Sequence, residues 1–461
     1  MKPPFDIAAD LDTPVSAYLK LSSLAPRYLL ESVEGGERLA RYSFLGFGDA
    51  LEIRMGHDGL QIGSQHLPRP AGRDEYLDAL RVALGEAPRP LPQVDGLPFS
   101  GGLVGVSGYD VVRLFERLPR GRPAQNAIPD AAFVAASSVL VFDHLTRRVA
   151  LLHDGSEAER QNLRKEVMRL LRGPIPVNGS KVRISDATAG MSEQQYAERV
   201  KACKEYIAAG DIYQIVLSVL FKGRSNVAPF EVYRALRLLN PSPYMFYLDF
   251  GDLQLAGSSP EALVKLNGRQ ASLRPIAGTL PRGATAAEDL RNEATLLADP
   301  KESAEHVMLV DLARNDLGRV AIPGSISVDP YRAIERYSHV MHIVSGVQGE
   351  LAPRYDAFDL FAASFPAGTL VGAPKVRAME IIDEMEDTGR GLYAGTAGYF
   401  GVGGDMDQAI TIRTLVFSGD EYSFQAGAGI VADSSPQKEY QEVLAKSAIL
   451  RSALQIAGEG L

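Results

Sequence analysis

Leu392-Tyr-Ala-Gly-Thr-Ala-Gly-Tyr-Phe400, Gln408-Ala-Ile-Thr-Ile-Arg-Thr-Leu-Val-Phe417 and Tyr422-Ser-Phe-Gln-Ala-Gly-Ala-Gly-Ile430 read as three strands, joined by turns at Gly403-Gly404-Asp405 and Ser418-Gly419-Asp420. Short runs rich in β-branched and aromatic residues, closed by Gly and Asp, are the signature of an antiparallel meander. In the middle strand Ile410, Ile412, Thr414 and Val416 share one face, and Ala409, Thr411, Arg413 and Leu415 the other. A charge in an otherwise apolar strand is costly unless paired. Arg413 therefore faces either a structural carboxylate or a ligand carboxylate held in a bidentate fork. The small residues of Gln425-Ala-Gly-Ala-Gly-Ile430 let a ligand approach the backbone closely.

Two carboxylate pairs flank this region. Glu302-Ser-Ala-Glu305 follows Asp299-Pro300, and Glu439-Tyr-Gln-Glu442 follows Ser435-Pro436. In each, a capping residue and a proline mark the start of a helix. Residues three apart share a helix face, so each start aims two carboxylates one way. For one pair alone, solvated glutamates favoured by the helix dipole are the default. Two such helices facing one cavity would instead call for a hard cation such as Mg2+, with a coordination side open to an anionic substrate.

The chain has 461 residues, 46% of them apolar and 23% charged, and a formal net charge of −9. That is an ordinary globular composition, and its sign argues against nucleic acid as the main partner. No run of about 18 apolar residues suggests a membrane span. Met1-Lys-Pro-Pro-Phe-Asp6 lacks the apolar core of a signal peptide. The single cysteine excludes an internal disulfide framework. Cys203 falls in a helical apolar stripe with Tyr196, Val200 and Ile207 and reads as core. A cytoplasmic location follows.

Residues 1–172 form the first region, with strands expected at Arg27-Tyr-Leu-Leu-Glu-Ser-Val33 and Val139-Leu-Val-Phe142 and a charged helix near Glu157 to Leu171. Gly173-Pro-Ile-Pro-Val-Asn-Gly-Ser180 begins a connector, 173–190. The second region, 191–461, opens with a capping-box helix at Ser192 and Gln195 that stops at Gly210. No Walker loop, dinucleotide fingerprint or Cys/His metal cluster is present. His339 and His342 would point to opposite faces of a strand or to one side of a helix, and by default each is a buried structural histidine.

Five long segments resemble the chorismate-utilising enzymes, and within them the large-subunit family of the anthranilate synthases. They are Pro241-Ser-Pro-Tyr-Met-Phe246, Arg274-Pro-Ile-Ala-Gly-Thr279, Glu302-Ser-Ala-Glu-His-Val-Met-Leu-Val-Asp-Leu-Ala-Arg-Asn-Asp316, Phe365-Pro-Ala-Gly-Thr-Leu-Val-Gly-Ala-Pro-Lys375 and Gln425-Ala-Gly-Ala-Gly-Ile-Val431. The resemblance covers nearly the whole chain and is strongest from about 190 to 455. It implies an α+β fold of antiparallel sheets packed together with helices outside. It also implies Mg2+ on Glu305 and Glu442, supported by Glu302 and Glu439. Gly278, Thr279, Tyr393, Arg413, Gly427, Ala428 and Gly429 match chorismate contacts. His342 matches the histidine of the late proton transfers, and Thr369 lies where the amine arrives.

The implied reaction adds ammonia at C2 of chorismate, loses the C4 hydroxyl, then releases pyruvate to leave anthranilate. Three positions discriminate within the family. Water-adding members carry a lysine base where this chain has Gln214, and a glutamine cannot take a proton from water. Many aminodeoxychorismate synthases, the alternative in folate synthesis, carry a nucleophilic lysine where this chain has Ala277. Pro-Ala-Gly-Thr369 is also the anthranilate synthase form. Leu280 departs from the family's usual arginine, while Arg282 remains. Leu30, Glu31 and Ser32, with Pro243, Tyr244 and Met245, resemble an element that binds L-tryptophan as feedback inhibitor. No glutaminase signature is visible. The resemblance therefore implies a glutamine amidotransferase subunit as ammonia source, in a hetero-oligomer of two large and two small subunits.

Overall fold

The computed structural model describes residues 4–8, 10–33, 41–119, 128–176, 182–337 and 340–461. His339, the first residues of the N-terminus and residues 177–181 of the connector lie outside them.

Among the described residues, 21 strands form one continuous antiparallel sheet that folds over on itself. One wing runs from Gln214–Arg224 to Glu421–Ile430, Thr414–Ser418, Leu253–Ser259, Tyr244–Asp249, Pro26–Glu31 and Tyr42–Gly56. The long strand Ala131–Asp143 continues from Tyr42–Gly56 into the other wing, through Gly102–Ser107, Thr396–Gly401, Met406–Ile410 and Ala262–Asn267. Alternation along each strand gives each wing an inner and an outer face. Tyr28, Phe246, Leu255 and Val416 of one wing meet Phe99, Val104, Ala397 and Tyr399 between the layers. The outer faces are covered by helices such as Glu193–Ala209, Pro229–Leu239 and Pro436–Glu459. This is the expected α+β arrangement, with antiparallel sheets packed together and helices outside.

Local expectations hold where the chain's own chemistry decides. The helix Glu157–Leu171 has the expected bounds. Ser192 and Gln195 cap Glu193–Ala209, and Gly210 closes it at φ 84°. Asp299 accepts hydrogen bonds from Lys301 N and Glu302 N at the start of Pro300–Gly318. Ser435 precedes Pro436–Glu459 as expected, but its side chain makes no capping bond. Cys203 is buried, which pushes its thiol up to about 12.

The three-strand meander needs correction. Met406–Ile410 pairs with Thr396–Gly401 in one wing, whereas Thr414–Ser418 pairs with Leu253–Ser259 and Glu421–Ile430 in the other. The expected middle strand is two strands, broken at Thr411–Arg413 where the chain changes layer. Arg413 takes φ 48°, so the alternation carrying it onto the face of Ala409 and Leu415 does not run through. The chain also changes layer between Ser259 and Ala262. Backbone bonds lace the crossings together: Ile410 N donates to Glu261 O at 2.9 Å and Ser258 N to Arg413 O at 3.1 Å.

The two sequence regions share this sheet. Pro26–Glu31 pairs with Tyr244–Asp249, and Gly102–Ser107 with Thr396–Gly401. A separate three-stranded sheet, Ile276–Pro281, Ala333–Arg336 and Val340–Val344, stands beside the helices Ala286–Ala298 and Pro300–Gly318.

Candidate active site

Several candidate residues meet at one end of the paired strands Gln214–Arg224 and Glu421–Ile430. Gln214 opens Gln214–Arg224, whose Val216, Leu217 and Ser218 lie opposite Gly429, Ala428 and Gly427. The glycines there make room for protein groups. A Cβ on Gly427 would stand 2.7 Å from the Tyr393 hydroxyl, and one on Gly429 would stand 2.9 Å from the Gln214 amide nitrogen. The same amide donates to Glu305 Oε1 at 3.4 Å. Gln214, Glu305, Gly427, Gly429 and Tyr393 thus form one wall.

The four glutamates sit at two helix starts. Glu302 and Glu305 are half-buried on Pro300–Gly318; on Pro436–Glu459, Glu439 is half-buried and Glu442 exposed. Burial first, then Glu305 and Asp299, raises the Glu302 carboxyl above its ordinary value. Burial likewise raises Glu439; Glu442 adds to the rise, while a Ser434 hydrogen bond and the Lys301 and Lys446 charges oppose it. Glu305 of one helix meets Gln214, and Lys446 of the other meets Gly427 O, so both helices border the paired strands Gln214–Arg224 and Glu421–Ile430. Among the described residues, no three such side chains are gathered into a ready metal shell. Instead Glu442 pairs with Lys446 at 2.7 Å, and Lys446 also donates to Gly427 O at 3.1 Å. An all-carboxylate donor set with two members held above their ordinary range suits a hard cation.

The small sheet supplies the histidine. Thr279 lies opposite His342, and the ladder slips between Ala277 and Thr279, so Gly278 bulges at φ 65°. His342 Nδ1 lies 3.0 Å from Thr279 Oγ1 and 3.1 Å from Gly278 O. A carbonyl only accepts, so Nδ1 carries a proton, an assignment made from its partner.

On the opposite side Thr369 donates to Glu261 Oε1 at 2.8 Å. Burial pushes the Glu261 carboxyl up to about 7, opposed by the Thr369 hydrogen bond and by the charges of Arg413 and Lys446. Arg413 is itself lowered by burial and raised by Glu261. Glu261 thus acts on the arginine through its charge, while its hydrogen bond comes from Thr369. Glu261 was absent from the sequence reading, although Gly257-Ser-Ser-Pro-Glu261 places an acid just past a strand-ending proline.

A sequence profile described as "chorismate binding enzyme" matches residues 25–452. The chain belongs to the chorismate-binding enzyme family.

Curated relatives agree across the full length. The protein named anthranilate synthase component 1 of Thermus thermophilus is 45% identical, covering 98% of this chain and 97% of the relative. Its namesake in Aquifex aeolicus is also 45% identical, over 98% of this chain and 94% of its own. The crystal structure of anthranilate synthase component I from Streptococcus pneumoniae superposes with a TM-score of 0.80 at 36% identity, covering 89% and 92% of the two chains. The Escherichia coli isochorismate synthase MenF, at 20% identity and a TM-score of 0.71, shares the fold. This chorismate-binding family member is an enzyme, and no described helix is long and apolar enough to cross a membrane.

The segments compared with an effector site are brought together elsewhere. Leu30 lies opposite Phe246 and Glu31 opposite Met245, and Val33 N donates to Ser242 O, beside Pro243. Glu31 turns away from the interlayer core. It is buried and accepts from the Tyr233 hydroxyl and from Arg237 Nε at 3.1 Å. Tyr244 is raised by burial and by Asp407.

Proposed function

We propose that this enzyme is the large subunit of an anthranilate synthase, converting chorismate and ammonia to anthranilate and pyruvate, the first step of tryptophan synthesis. One observation carries the reading: Glu261, hydrogen-bonded by Thr369, is a buried carboxyl poised near neutrality where it can serve as an acid to a leaving hydroxyl. An acid with its pKa near working pH is the efficient general acid. Glu261 gives its proton to the C4 oxygen, which leaves as water, while ammonia bonds to C2 and its surplus proton returns to the Glu261 carboxylate. His342 Nε2 then takes the C2 proton as the enolpyruvyl ether bond breaks. The ring becomes aromatic, and the enolpyruvate that leaves takes a proton at its methylene carbon to become pyruvate. Gln214 and Ala277 supply neither a base for water nor an amine for a covalent adduct.

Arg413 and the backbone of Gly427 to Gly429 would orient chorismate, with Gly278 and Thr279 at the ring. Mg2+ would be held by Glu305 and Glu442, with Glu302 and Glu439 beside them. When bound, it supplies positive charge to anchor the ring carboxylate. Lys446 and Gln214, now on Glu442 and Glu305, are the groups it would relieve. Ammonia would come from a glutamine amidotransferase subunit in an assembly of two large and two small chains. L-tryptophan would bind between Leu30 to Ser32 and Pro243 to Met245, in a cytoplasmic enzyme.

The test is product identity. The purified chain with chorismate, Mg2+ and ammonium should release anthranilate and equimolar pyruvate. Aminodeoxychorismate without pyruvate would overturn the reading in favour of folate synthesis.

A further inference from the structure

We infer that Arg390, outside the substrate and metal sets, is the positioning residue of this active site: one guanidinium fixes the Thr369 turn, the strand behind Gln214 and the ring of Tyr393 together. The side chain is 1% exposed. Its Nη1 donates to Leu370 O at 2.7 Å, in the short turn Gly368–Leu370 that carries Thr369. Its Nη2 donates to Val216 O at 2.7 Å, two residues from Gln214 on the same strand. Nε and Nη2 also donate to the two oxygens of Glu386, at 2.9 and 2.7 Å. The guanidinium carbon lies 5.7 Å from the centre of the Tyr393 ring and 5.0 Å from that of Tyr109.

Glu386 continues the brace. It accepts from Ser218 N at 2.9 Å and Ser218 Oγ at 2.7 Å, and Ser218 lies opposite Gly427. Gln425 Nε2 donates to the same hydroxyl at 2.8 Å. Tyr109 belongs to the N-terminal region and donates its own N–H to Gly391 O at 2.8 Å. The guanidinium therefore joins the wall that meets the ring carboxylate, the wall that delivers the amine and the layer behind both.

Only a planar fork can do this. Four directed bonds leave one flat group, and an ammonium on a flexible stem cannot reproduce them. A buried ion pair of this kind is weak support for overall stability; here its four hydrogen bonds tie the guanidinium to one position. Misplacing reacting groups by about 1 Å costs on the order of a hundredfold in rate.

This inference deepens the proposed function and rests on it, so its test includes a readout free of the product's identity. Arg390→Lys is compared with wild type in kcat, in KM, in pyruvate formed per chorismate consumed, and in chorismate affinity by calorimetry with Mg2+ present. The expected result is a kcat lower by about a hundredfold, a raised KM, less pyruvate per chorismate and weaker binding in a protein that still melts cooperatively. If Arg390→Lys does not fold, Tyr109→Leu, which removes the ring beneath the guanidinium, should show the same pattern at about three- to tenfold. A kcat that falls only with the folded fraction, at unchanged KM, pyruvate yield and affinity, would overturn the positioning role. Wild type that binds chorismate but makes no anthranilate would instead count against the proposed function, leaving the affinity comparison to decide Arg390.

Discussion

Glu261 shows how much a single side chain's surroundings decide. Its ordinary carboxyl value is 4.5, and burial moves it to about 7. If its proton goes to the leaving hydroxyl, kcat must fall as pH rises through about 7, because the acid form is lost. The folded state also holds this proton more tightly than the unfolded chain. Folding stability therefore declines as pH rises from about 4.5 to 7, and is fully present only below that window. Glu261→Gln should lower kcat by about 10²- to 10⁴-fold and flatten the stability slope; a pH–rate profile and urea titrations at two pH values check both. Glu305→Gln should abolish Mg2+-dependent turnover with little change in melting. Turnover that still rises with added Mg2+ would remove Glu305 from the metal set.

At the scale of elements, the antiparallel pairing of Ile276–Pro281 with Val340–Val344 holds His342 through a bulge that only glycine accepts comfortably. Gly278 has φ 65°, and a Cβ there would stand 3.0 Å from Leu296 Cδ1 and 3.1 Å from Glu302 Oε2. Gly278→Ala should cost about 1–2 kcal/mol in stability for the left-handed backbone. It should cost activity out of proportion, because both the carbonyl that holds His342 and the neighbour of Glu302 move. The urea midpoint read beside kcat separates the two effects. The helix starts were legible because capping residues, prolines and i, i+3 spacing are local. The break at Thr411–Arg413 was not. Its residues alternate in sequence as a strand's should, and only the backbone turn at Arg413 and the different partners on either side reveal it.

At the scale of the molecule, the two sequence regions are one sheet. Strand Tyr244–Asp249 needs Pro26–Glu31, and Thr396–Gly401 needs Gly102–Ser107. A chain of residues 182–461 alone would expose both edges and the inner face with Phe246 and Tyr399. It should be insoluble or bind hydrophobic dyes; a soluble, cooperatively melting fragment would refute this. The same pairing sets the proposed effector segments in the shared sheet. Ser32→Phe should relieve tryptophan inhibition while leaving kcat near wild type, measured as the tryptophan concentration for half-inhibition.

By itself the sequence determined the antiparallel α+β class, the helix starts that aim Glu302, Glu305, Glu439 and Glu442, and the family. Each of these is written in short-range spacing or in long uninterrupted motifs. Tertiary structure alone decided that Arg413 and Glu261 stand at neighbouring crossings between two layers. It also turned Glu31 into a helix-facing contact, and made Arg390 the meeting point of Thr369, Gln214 and Tyr393. Those facts depend on which strands pair across more than a hundred residues and on which groups are driven from water together. Neither is a property of any local run of residues.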